Sequence, residues 1–339
     1  MRTSIFGNVI LMALAAGACS EPEQDLGTVA QEATASTQGI GVPAYFGETD
    51  NNSYVLLRNE NVEGDTSLVT FAIVNAGCDY TGLHKPPPNQ NSCVIAGGPG
   101  SSTSTELSNR IRELHEGHVG VFGYVYMGPV PVENSGPPYR STNDVLQDIE
   151  RWRTYPQVDG IFFDRAHRPS TAGLPKQQYL QEYVSPRFGY AQFFGASVPG
   201  RSMFNWGDTP SHMESYVNCI VTRGAGWNYF VLHETAESTF LGRTAPAWIA
   251  NFNPYHFSSM IHGAHQSMLS SVVAKSRELN TGNIYITDRT LEPNPWETLP
   301  SFNLWSAQLQ AVNQYPVNYP NGSNSDVTTG SCPASSPNE

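Results

Sequence analysis

The feature that most constrains the fold is a series of eight short apolar segments along the chain, each ending in a polar or aromatic residue. Segments of this length, rich in Val, Ile, Phe and Tyr, are typical of buried strands. They span residues 41–46, 69–75, 119–126, 160–164, 202–205, 229–234, 258–262 and 283–288. In the fourth segment both faces are apolar, as expected for a strand that is covered on both sides.

Several of the stretches between these segments have the apolar spacing of amphipathic helices. Leu107, Ile111 and Leu114 share one helical face in residues 104–116, and similar patterns span residues 142–155, 211–223 and 266–279. Little helix is expected between residues 47 and 67, so the connection between the first two strands is the least regular. Eight strands that alternate with helices predict a parallel sheet closed into a (β/α)8 TIM barrel, in a single α/β domain.

The charge balance excludes one class of partner. The chain has 18 Lys and Arg residues against 30 Asp and Glu residues, a net charge of −12, and it contains no basic cluster. Nucleic acid is therefore not an expected partner. An acidic surface instead favours cationic ligands, including polymers that carry free amino groups.

Residues 1–19 predict a secretory signal peptide. Arg2 precedes an apolar stretch over residues 5–16 that is too short to span a membrane, and "AGACS" follows at residues 16–20. Cleavage before Cys19 would give a bacterial lipoprotein with a lipidated Cys19, and ordinary signal-peptidase cleavage after Ala18 is the alternative. We expect a secreted or cell-surface protein that contacts the membrane only through this lipid anchor.

The rest of the chain divides into a core and two polar flanks. Residues 20–39 lack apolar periodicity and predict a flexible tether. Residues 315–339 are rich in Pro, Asn, Ser and Gly and predict a disordered tail. Residues 40–314 then form the barrel domain, which we expect to be a monomer.

The chain has five cysteines. If Cys19 carries lipid, four remain, and an even number suits an oxidising compartment. Cys78 and Cys93 flank a Pro-rich loop and are the favoured disulfide, with two free thiols as the alternative. The pairing of Cys219 and Cys332 is left open.

The polar residues at the strand ends predict a functional site, because chemistry in these barrels lies at the carboxyl ends of the strands. Acids, amides, a histidine and aromatic rings together suit a site that processes sugars. The expected substrate-binding residues are Tyr45, Asn75, Tyr124, Arg165, Asn205, Trp206, His262 and Asp288. Among them, Trp206 is the best candidate to stack on a sugar ring.

Two strand-end acids, Asp164 and Glu234, could supply the two carboxyl groups that most glycosidases require. We expect Arg165 to keep Asp164 ionised, as a nucleophile or base, because a nearby cation favours the charged form. The apolar run before Glu234 is expected to raise its pKa, as in a general acid. The structural alternatives are a helix cap or an ion pair with Arg165 for Asp164, and a backbone-bonded carboxylate for Glu234.

No metal or organic cofactor is predicted. The segment "HETAE" at residues 233–237 is similar to a zinc-protease helix but has Glu where the second His belongs. His262 and His265 form only a pair, which is a weak signal for a metal.

A set of short motifs follows the strand order along the chain. They are "VPAYF" (42–46), "FAIVN" (71–75), "GGPG" (97–100), "VFGYV" (121–125), "DGIFFD" (159–164), "FNWG" (204–207), "FVLHE" (230–234), "YITD" (285–288) and "NPWETLP" (294–300). This ordered set resembles spherulation-specific family 4, the spherulin-4-like proteins. The resemblance implies a (β/α)8 barrel and an endo-acting glycoside hydrolase that cuts galactosaminogalactan, a polymer of galactose and N-acetylgalactosamine.

The resemblance also implies which carboxylates act. The family pattern has an Asp-Glu pair at the end of the fourth strand, which Asp164 opens, and a Glu at the end of the sixth, which Glu234 matches. Arg165 stands where the family has the Glu of the pair. Two functions are therefore expected: a hydrolase of polysaccharide that contains galactosamine or N-acetylgalactosamine, or a non-catalytic carbohydrate-binding or structural surface lipoprotein that lost its second acid.

Overall fold

The computed structural model describes most of the chain that follows the expected signal peptide and tether. The described residues are 38–47, 50–60, 68–75, 104–128, 140–155, 158–166, 173–190, 198–208, 214–223, 228–292, 294–313 and Cys332. The predictions for Cys19 and for the Cys78–Cys93 disulfide lie outside them, as do nearly all of the tether and the tail.

Eight parallel strands form a closed barrel. They are β1 (Gly39–Ala44), β2 (Val69–Val74), β3 (Gly120–Tyr126), β4 (Gly160–Asp164), β7 (Arg201–Asn205), β8 (Tyr229–Ala236), β9 (Phe257–His262) and β10 (Asn283–Ile286). Two short strands, β5 (Gly189–Tyr190) and β6 (Val198–Pro199), pair with each other outside the barrel. The strands follow chain order around the barrel, and β1 closes it by pairing with β10. The predicted (β/α)8 barrel is confirmed.

Eight helices accompany the described part of the barrel. They are α1 (Asn51–Asn59), α2 (Thr105–Glu116), α3 (Thr142–Trp152), α4 (Gly173–Val184), α5 (Glu214–Arg223), α6 (Glu237–Leu241), α7 (Leu269–Glu278) and α8 (Phe302–Asn313). Short 3₁₀ helices span Ala247–Asn251, Pro254–His256 and Gln266–Met268. None of the described helices is long and apolar enough to cross a membrane.

Helix α1 corrects the expectation that little helix lies between the first two strands. Asp50 caps it by accepting the backbone N–H of Ser53, which satisfies one of the free donors of its first turn. Tyr54 and Leu57 are the two large side chains on its buried face. The helix was not predicted because it has only nine residues and two large buried side chains. Its apolar pattern is therefore too short to indicate a helix.

Helix α3 shows how the helix layer fits against the barrel. Ser141 caps it, and Val145, Ile149 and Trp152 form its buried face. A Cβ on Gly123 would lie 2.5 Å from the Trp152 ring, so the strand needs glycine there for the helix to approach. The Trp152 indole N–H then donates to the Tyr124 carbonyl at 2.9 Å.

Aromatic rings fill the amino end of the barrel interior. Phe71, Phe122 and Tyr229 pack with ring centroids 5.5–5.6 Å apart. The Arg201 guanidinium lies beside them and donates to the Tyr229 hydroxyl. These rings form an aromatic floor that closes the amino end of the barrel. The polar side chains at the opposite, carboxyl end therefore lie above a packed core.

One disulfide lies within the described residues. Cys219 of α5 is bonded to Cys332, with their Cα atoms 5.5 Å apart. The pairing that the sequence left open is thus a covalent link between the barrel domain and the C-terminal flank.

Candidate active site

Three polar side chains from neighbouring strands meet at the carboxyl end of the barrel. Asp164 ends β4, Asn205 ends β7 and Glu234 lies on β8. The Asn205 amide nitrogen donates to Asp164 Oδ1 at 2.9 Å and to Glu234 Oε2 at 2.6 Å. One buried amide therefore joins the two carboxylates predicted to be catalytic.

A β-bulge aims Glu234 into the barrel. On β8, Tyr229 points inward to the aromatic floor, so strict alternation would send residue 233 inward and residue 234 outward. The register with β9 shifts between Val231 and His233, which inserts one extra residue. As a result His233 packs outward against Phe240 of α6, and Glu234 faces the interior.

Asp164 receives three hydrogen bonds. Besides the Asn205 amide, the Tyr124 hydroxyl donates to Oδ2 at 2.7 Å and the Arg165 backbone N–H donates to Oδ1 at 2.8 Å. Burial and the Asp164 charge raise the pKa of Tyr124, so its hydroxyl stays protonated and can act as this donor.

Glu234 receives a second donor from Trp296, in the loop between β10 and α8. The indole N–H donates to Glu234 Oε1 at 3.0 Å. The Trp296 carbonyl also accepts the backbone N–H of Tyr45 at 3.1 Å, so this loop is tied to both β8 and the end of β1. Trp296 is absent from the predicted site residues, and its place within the "NPWETLP" motif was the one signal that could have identified it.

The two carboxyl groups have raised pKa values for related reasons. Burial raises the pKa of Asp164, and the bonds from Tyr124, the Arg165 amide and Asn205 offset only part of that effect. Burial and the neighbouring Asp164 charge raise the pKa of Glu234, and the bonds from Asn205 and Trp296 oppose them. The direction expected for Glu234 is confirmed.

The structure corrects the expected effect of Arg165 on Asp164. The Arg165 charge does lower the pKa of Asp164, but burial outweighs it. Among the described residues the bond between the two residues comes from the Arg165 backbone N–H, and no ion pair joins their side chains. The chain turns sharply here, because Arg165 has a left-handed backbone with φ of 48°.

The Arg165 side chain leaves the site along the end of β3. Its Cδ atom would lie 2.9 Å from a Cβ on Gly128, and the Tyr126 hydroxyl would lie 2.7 Å from that same Cβ. Glycine at this position makes room for both side chains. Arg165 itself is exposed, and its charge lowers the pKa of both carboxyl groups.

Two tyrosines line the barrel interior beside the carboxylates. The rings of Tyr45 and Tyr124 meet edge to face with centroids 5.4 Å apart. Burial and the charges of Asp164 and Glu234 raise the pKa of Tyr45. Asn75 follows β2, the strand between β1 and β3, and is buried.

The other predicted binding residues lie farther from the carboxylates or face elsewhere. His262 ends β9 and packs edge to face with Trp296 at 6.2 Å, and burial lowers its pKa. Asp288 accepts the Ser301 backbone N–H at 3.0 Å, and this bond holds the start of α8. Although burial alone raises the pKa of Asp288, its bonds with Ser301 lower it overall.

Trp206 is packed as a core side chain. Its ring lies 4.7 Å from Phe230 and 5.3 Å from Tyr216, centroid to centroid, and it is 5% exposed. Little of the indole face is left to receive a sugar ring.

The "HETAE" segment has structural roles. His233 is buried beside Phe240, and Glu237 accepts the His265 backbone N–H at 2.6 Å. Within the part of the chain that the structure describes, no three His, Cys, Asp or Glu side chains converge on a point that could hold a metal ion.

The sequence model of spherulation-specific family 4 matches residues 86–312, about two thirds of the chain. The chain belongs to this family. A search of curated protein sequences finds no significant match. Among solved structures, the chain is similar to Aspergillus clavatus Sph3 in complex with GalNAc, with 18% identity and a TM-score of 0.57. The alignment covers 81% of this chain and 98% of Sph3, which shows a shared fold.

Two other solved structures in the same search are more distant from this spherulation-specific family 4 member. The endo-β-1,4-glucanase Cel5B of Bacillus halodurans has 10% identity and a TM-score of 0.43, over 81% of this chain and 60% of Cel5B. An O-GlcNAc hydrolase mutant of Thermobaculum terrenum has 10% identity and a TM-score of 0.38, over 84% of this chain and 60% of that one.

Proposed function

We propose that this chain is a glycoside hydrolase that cuts an amino-sugar-containing polysaccharide internally, with Asp164 and Glu234 as its catalytic pair. The observation that carries the proposal is the Asn205 amide, which bonds both carboxylates at the end of the barrel where chemistry is expected. Two carboxyl groups at a short separation are what hydrolysis of a glycosidic bond requires.

The spacing of the pair favours retention of anomeric configuration. The facing oxygens of Asp164 and Glu234 lie 2.9 and 2.6 Å from one nitrogen, so their separation cannot exceed those two bonds placed end to end. Retaining enzymes have carboxyl groups about 5–5.5 Å apart, whereas inverting enzymes need about 6.5–9.5 Å to admit a water. The upper limit set by the two bonds lies below the longer range, which supports a retaining mechanism.

The hydrogen bonds and nearby charges indicate which carboxyl group is the nucleophile and which is the general acid. Asp164 has three donors and the nearby Arg165 charge, all of which favour its ionised form, so it is the nucleophile. Glu234 has two donors and faces the Asp164 charge, which favours its protonated form, so it is the general acid.

The reaction then runs in two steps. Glu234 protonates the glycosidic oxygen while an Asp164 oxygen bonds to the anomeric carbon, and the sugar on the leaving side departs as an alcohol. Glu234, now ionised, takes a proton from water, whose oxygen replaces Asp164 on the anomeric carbon. Asp164 returns to its carboxylate form, and a new reducing end is released.

A galactosamine or N-acetylgalactosamine polymer is the proposed substrate. Membership in the family and the shared fold with Sph3, which was solved with GalNAc, support this choice. The net charge of −12 is compatible with a polymer that is partly deacetylated and therefore cationic. Within the described part of the chain the Tyr45 hydroxyl has no hydrogen-bond partner, so it is available to a sugar at the carboxyl end of the barrel.

Arg165 favours a second candidate, a barrel that binds the polysaccharide without cutting it. Its side chain replaces the acid that the family pattern places after Asp164, and it puts a cation beside the pair. Substitution Arg165→Glu separates the two candidates. A large gain in hydrolysis would support the binding protein, and a loss or no change would support an enzyme that works with Arg165.

The deciding experiment measures reducing ends released from fully acetylated and partly deacetylated galactosaminogalactan by a soluble form, residues 20–339. Wild type is compared with Asp164→Asn and Glu234→Gln, and Glu237→Gln is the matched control on the same stretch of chain. Release by wild type and the control, but by neither catalytic variant, is expected. If wild type releases no reducing ends, the proposed hydrolase of this polymer is wrong.

We also propose that the protein is exported and anchored through a lipid on Cys19, with no other membrane contact. The apolar stretch and the "AGACS" segment support this proposal. Metabolic labelling with a fatty acid is expected to mark the wild type and not Cys19→Ser. Labelling of neither form would contradict the lipoprotein assignment.

A further inference from the structure

Asn205 is held so that its amide can face the carboxylates in only one orientation. Its carbonyl oxygen accepts the Gly207 backbone N–H at 3.0 Å, an Asx turn directly after β7. A flipped amide would place its oxygen against two carboxylates and its nitrogen against an N–H donor, so the network fixes the assignment. Both amide hydrogens therefore point to the pair.

The turn that holds Asn205 is also joined to the backbone of Glu234. Gly207 has φ of 67°, a conformation that glycine adopts without strain, and a Cβ there would meet nothing within 4 Å. The Gly207 carbonyl accepts the Glu234 backbone N–H at 3.4 Å, and the Trp206 N–H donates to the Val231 carbonyl at 3.1 Å. The same turn thus orients the bridging amide and anchors the bulged segment of β8.

We propose that Asn205 is the positioning residue of the catalytic pair. Its two N–H groups bind one carboxylate each and so set the separation of Asp164 and Glu234. The effect of Asn205 on catalysis rests on the proposed hydrolase function. The bridging role itself does not, because it can be measured on the carboxyl groups without any substrate.

The chemistry of the bridge follows from the donor count. An asparagine amide has two hydrogens, and here each is committed to one carboxylate. Each of these bonds lowers the pKa of the carboxyl group that accepts it, so both acids lose a donor that favours their ionised form when the amide is removed. The other titratable or charged groups that interact with the pair in the described part of the chain are Tyr45, Tyr124 and Arg165.

The test is a carboxyl ¹³C NMR titration of wild type, Asn205→Leu and Asn228→Leu. Leu matches Asn in size and removes both donors. Asn228 is a matched control, since it is another buried asparagine whose side chain bonds the backbone at Ser202 and Ile220. We expect the pKa of both Asp164 and Glu234 to rise in Asn205→Leu and to stay at the wild-type values in Asn228→Leu.

Kinetics give the second readout. The kcat of Asn205→Leu is expected to fall about 100-fold with KM changed little, because the acids lose their alignment rather than their contact with the sugar. If Asn205→Leu does not fold, Asn205→Ser, which keeps one donor, is expected to shift the same two pKa values in the same direction.

Unchanged carboxyl pKa values in a folded Asn205 variant would overturn the proposal. A shift of both pKa values in a protein that hydrolyses no glycan would leave the bridge established and the proposed function refuted. The failures of the two proposals are therefore distinguishable.

Discussion

Strand β4 carries an aspartate at each end, and the two carboxylates have different partners. Asp159 precedes the strand at the amino end of the barrel, and Asp164 closes it at the carboxyl end. Both come from the same "DGIFFD" segment, so the comparison holds residue type and strand constant.

At the amino end, a histidine ring and a backbone N–H bind the carboxylate. Asp159 Oδ2 lies 2.9 Å from His115 Nε2 and 2.7 Å from the Val121 backbone nitrogen, and the residue is 4% exposed. The Asp159 backbone carbonyl also accepts the Arg201 N–H at 3.1 Å. These bonds tie β3, β4, β7 and α2 together, which is a structural role.

At the carboxyl end, the carboxylate is held by neutral donors and shares one of them with a second acid. Asp164 is bonded by Tyr124, Asn205 and a backbone N–H, and it stays partly exposed. Its partial removal from solvent outweighs these donors and the nearby Arg165 charge and raises its pKa, which is unfavourable for stability and useful for proton transfer. The difference indicates that the partners, rather than the residue type, separate the structural carboxylate from the one that we propose to be catalytic.

The largest expected effect concerns the two roles at the carboxyl end. Glu234→Gln is expected to lower kcat on the polysaccharide about 1000-fold, because the leaving oxygen loses its proton donor. The loss should be much smaller on a synthetic glycoside whose leaving group needs no proton, whereas Asp164→Asn should stay inactive on both. Steady-state kinetics on the two substrates check this. Equal losses on both substrates for Glu234→Gln would remove its assignment as the acid.

A second prediction attributes the loss of folding stability at acidic pH to His233, a residue outside the catalytic pair. Burial and the Arg243 charge lower the pKa of His233 to about 4. At pH values between the ordinary pKa of histidine and this lowered value, His233 is protonated in the unfolded chain but not in the folded one. The folding stability therefore falls as the pH falls through this range. Urea unfolding should show that His233→Leu avoids about 3 kcal/mol of the wild-type loss between about pH 7 and pH 4. An identical pH dependence for both proteins would contradict this.

A third prediction tests the packing at the amino end. A Cβ on Gly160 would lie 2.1 Å from the Arg201 carbonyl oxygen, so Gly160→Ala must displace backbone. It is expected to destabilise the fold by about 1–3 kcal/mol and to leave the kcat of the folded enzyme unchanged. Gly242→Ala is the control, because its Cβ would meet its nearest atom at 3.6 Å. Equal stability of the two variants in thermal unfolding would show that the amino end tolerates movement.

The smallest expected effect is on the pH dependence of stability at the carboxyl end. The pKa of Glu234 is raised in the folded state, so the folded protein holds the proton to higher pH than the unfolded chain. Stability is then lost as the pH rises from the ordinary pKa of a glutamate through the raised one. The Tm of wild type should therefore fall relative to that of Glu234→Gln over this range. A rise instead would mean that Glu234 is ionised more easily in the fold.

Most of the barrel could be predicted from the sequence, because each buried strand is a compact apolar run. The eight predicted strands agree with the observed ones to within about two residues at every end. Helix α1 could not be predicted, since its stability comes from Asp50 and from burial of two side chains rather than from a long periodic pattern.

The candidate site was predictable in part. Tyr124, Asp164, Asn205 and Glu234 meet because the carboxyl ends of adjacent parallel strands converge. Periodicity cannot show the bulge that turns Glu234 inward, because it depends on pairing with β9. Nor can it show the bond from Trp296, which lies 62 residues from Glu234 along the chain.

The most direct test of the account compares Asp159→Asn with Asp164→Asn in one set of measurements, Tm and kcat on the polysaccharide. For Asp159→Asn we expect a loss of about 3 kcal/mol, or a fall in Tm of about 6–12 °C, with the kcat of the folded protein within a few-fold of wild type. For Asp164→Asn we expect kcat to fall at least about 1000-fold, with Tm within about 2–4 °C of wild type. An Asp164→Asn protein that hydrolyses the polymer at the wild-type rate would contradict the central claim that this end of β4 carries the chemistry.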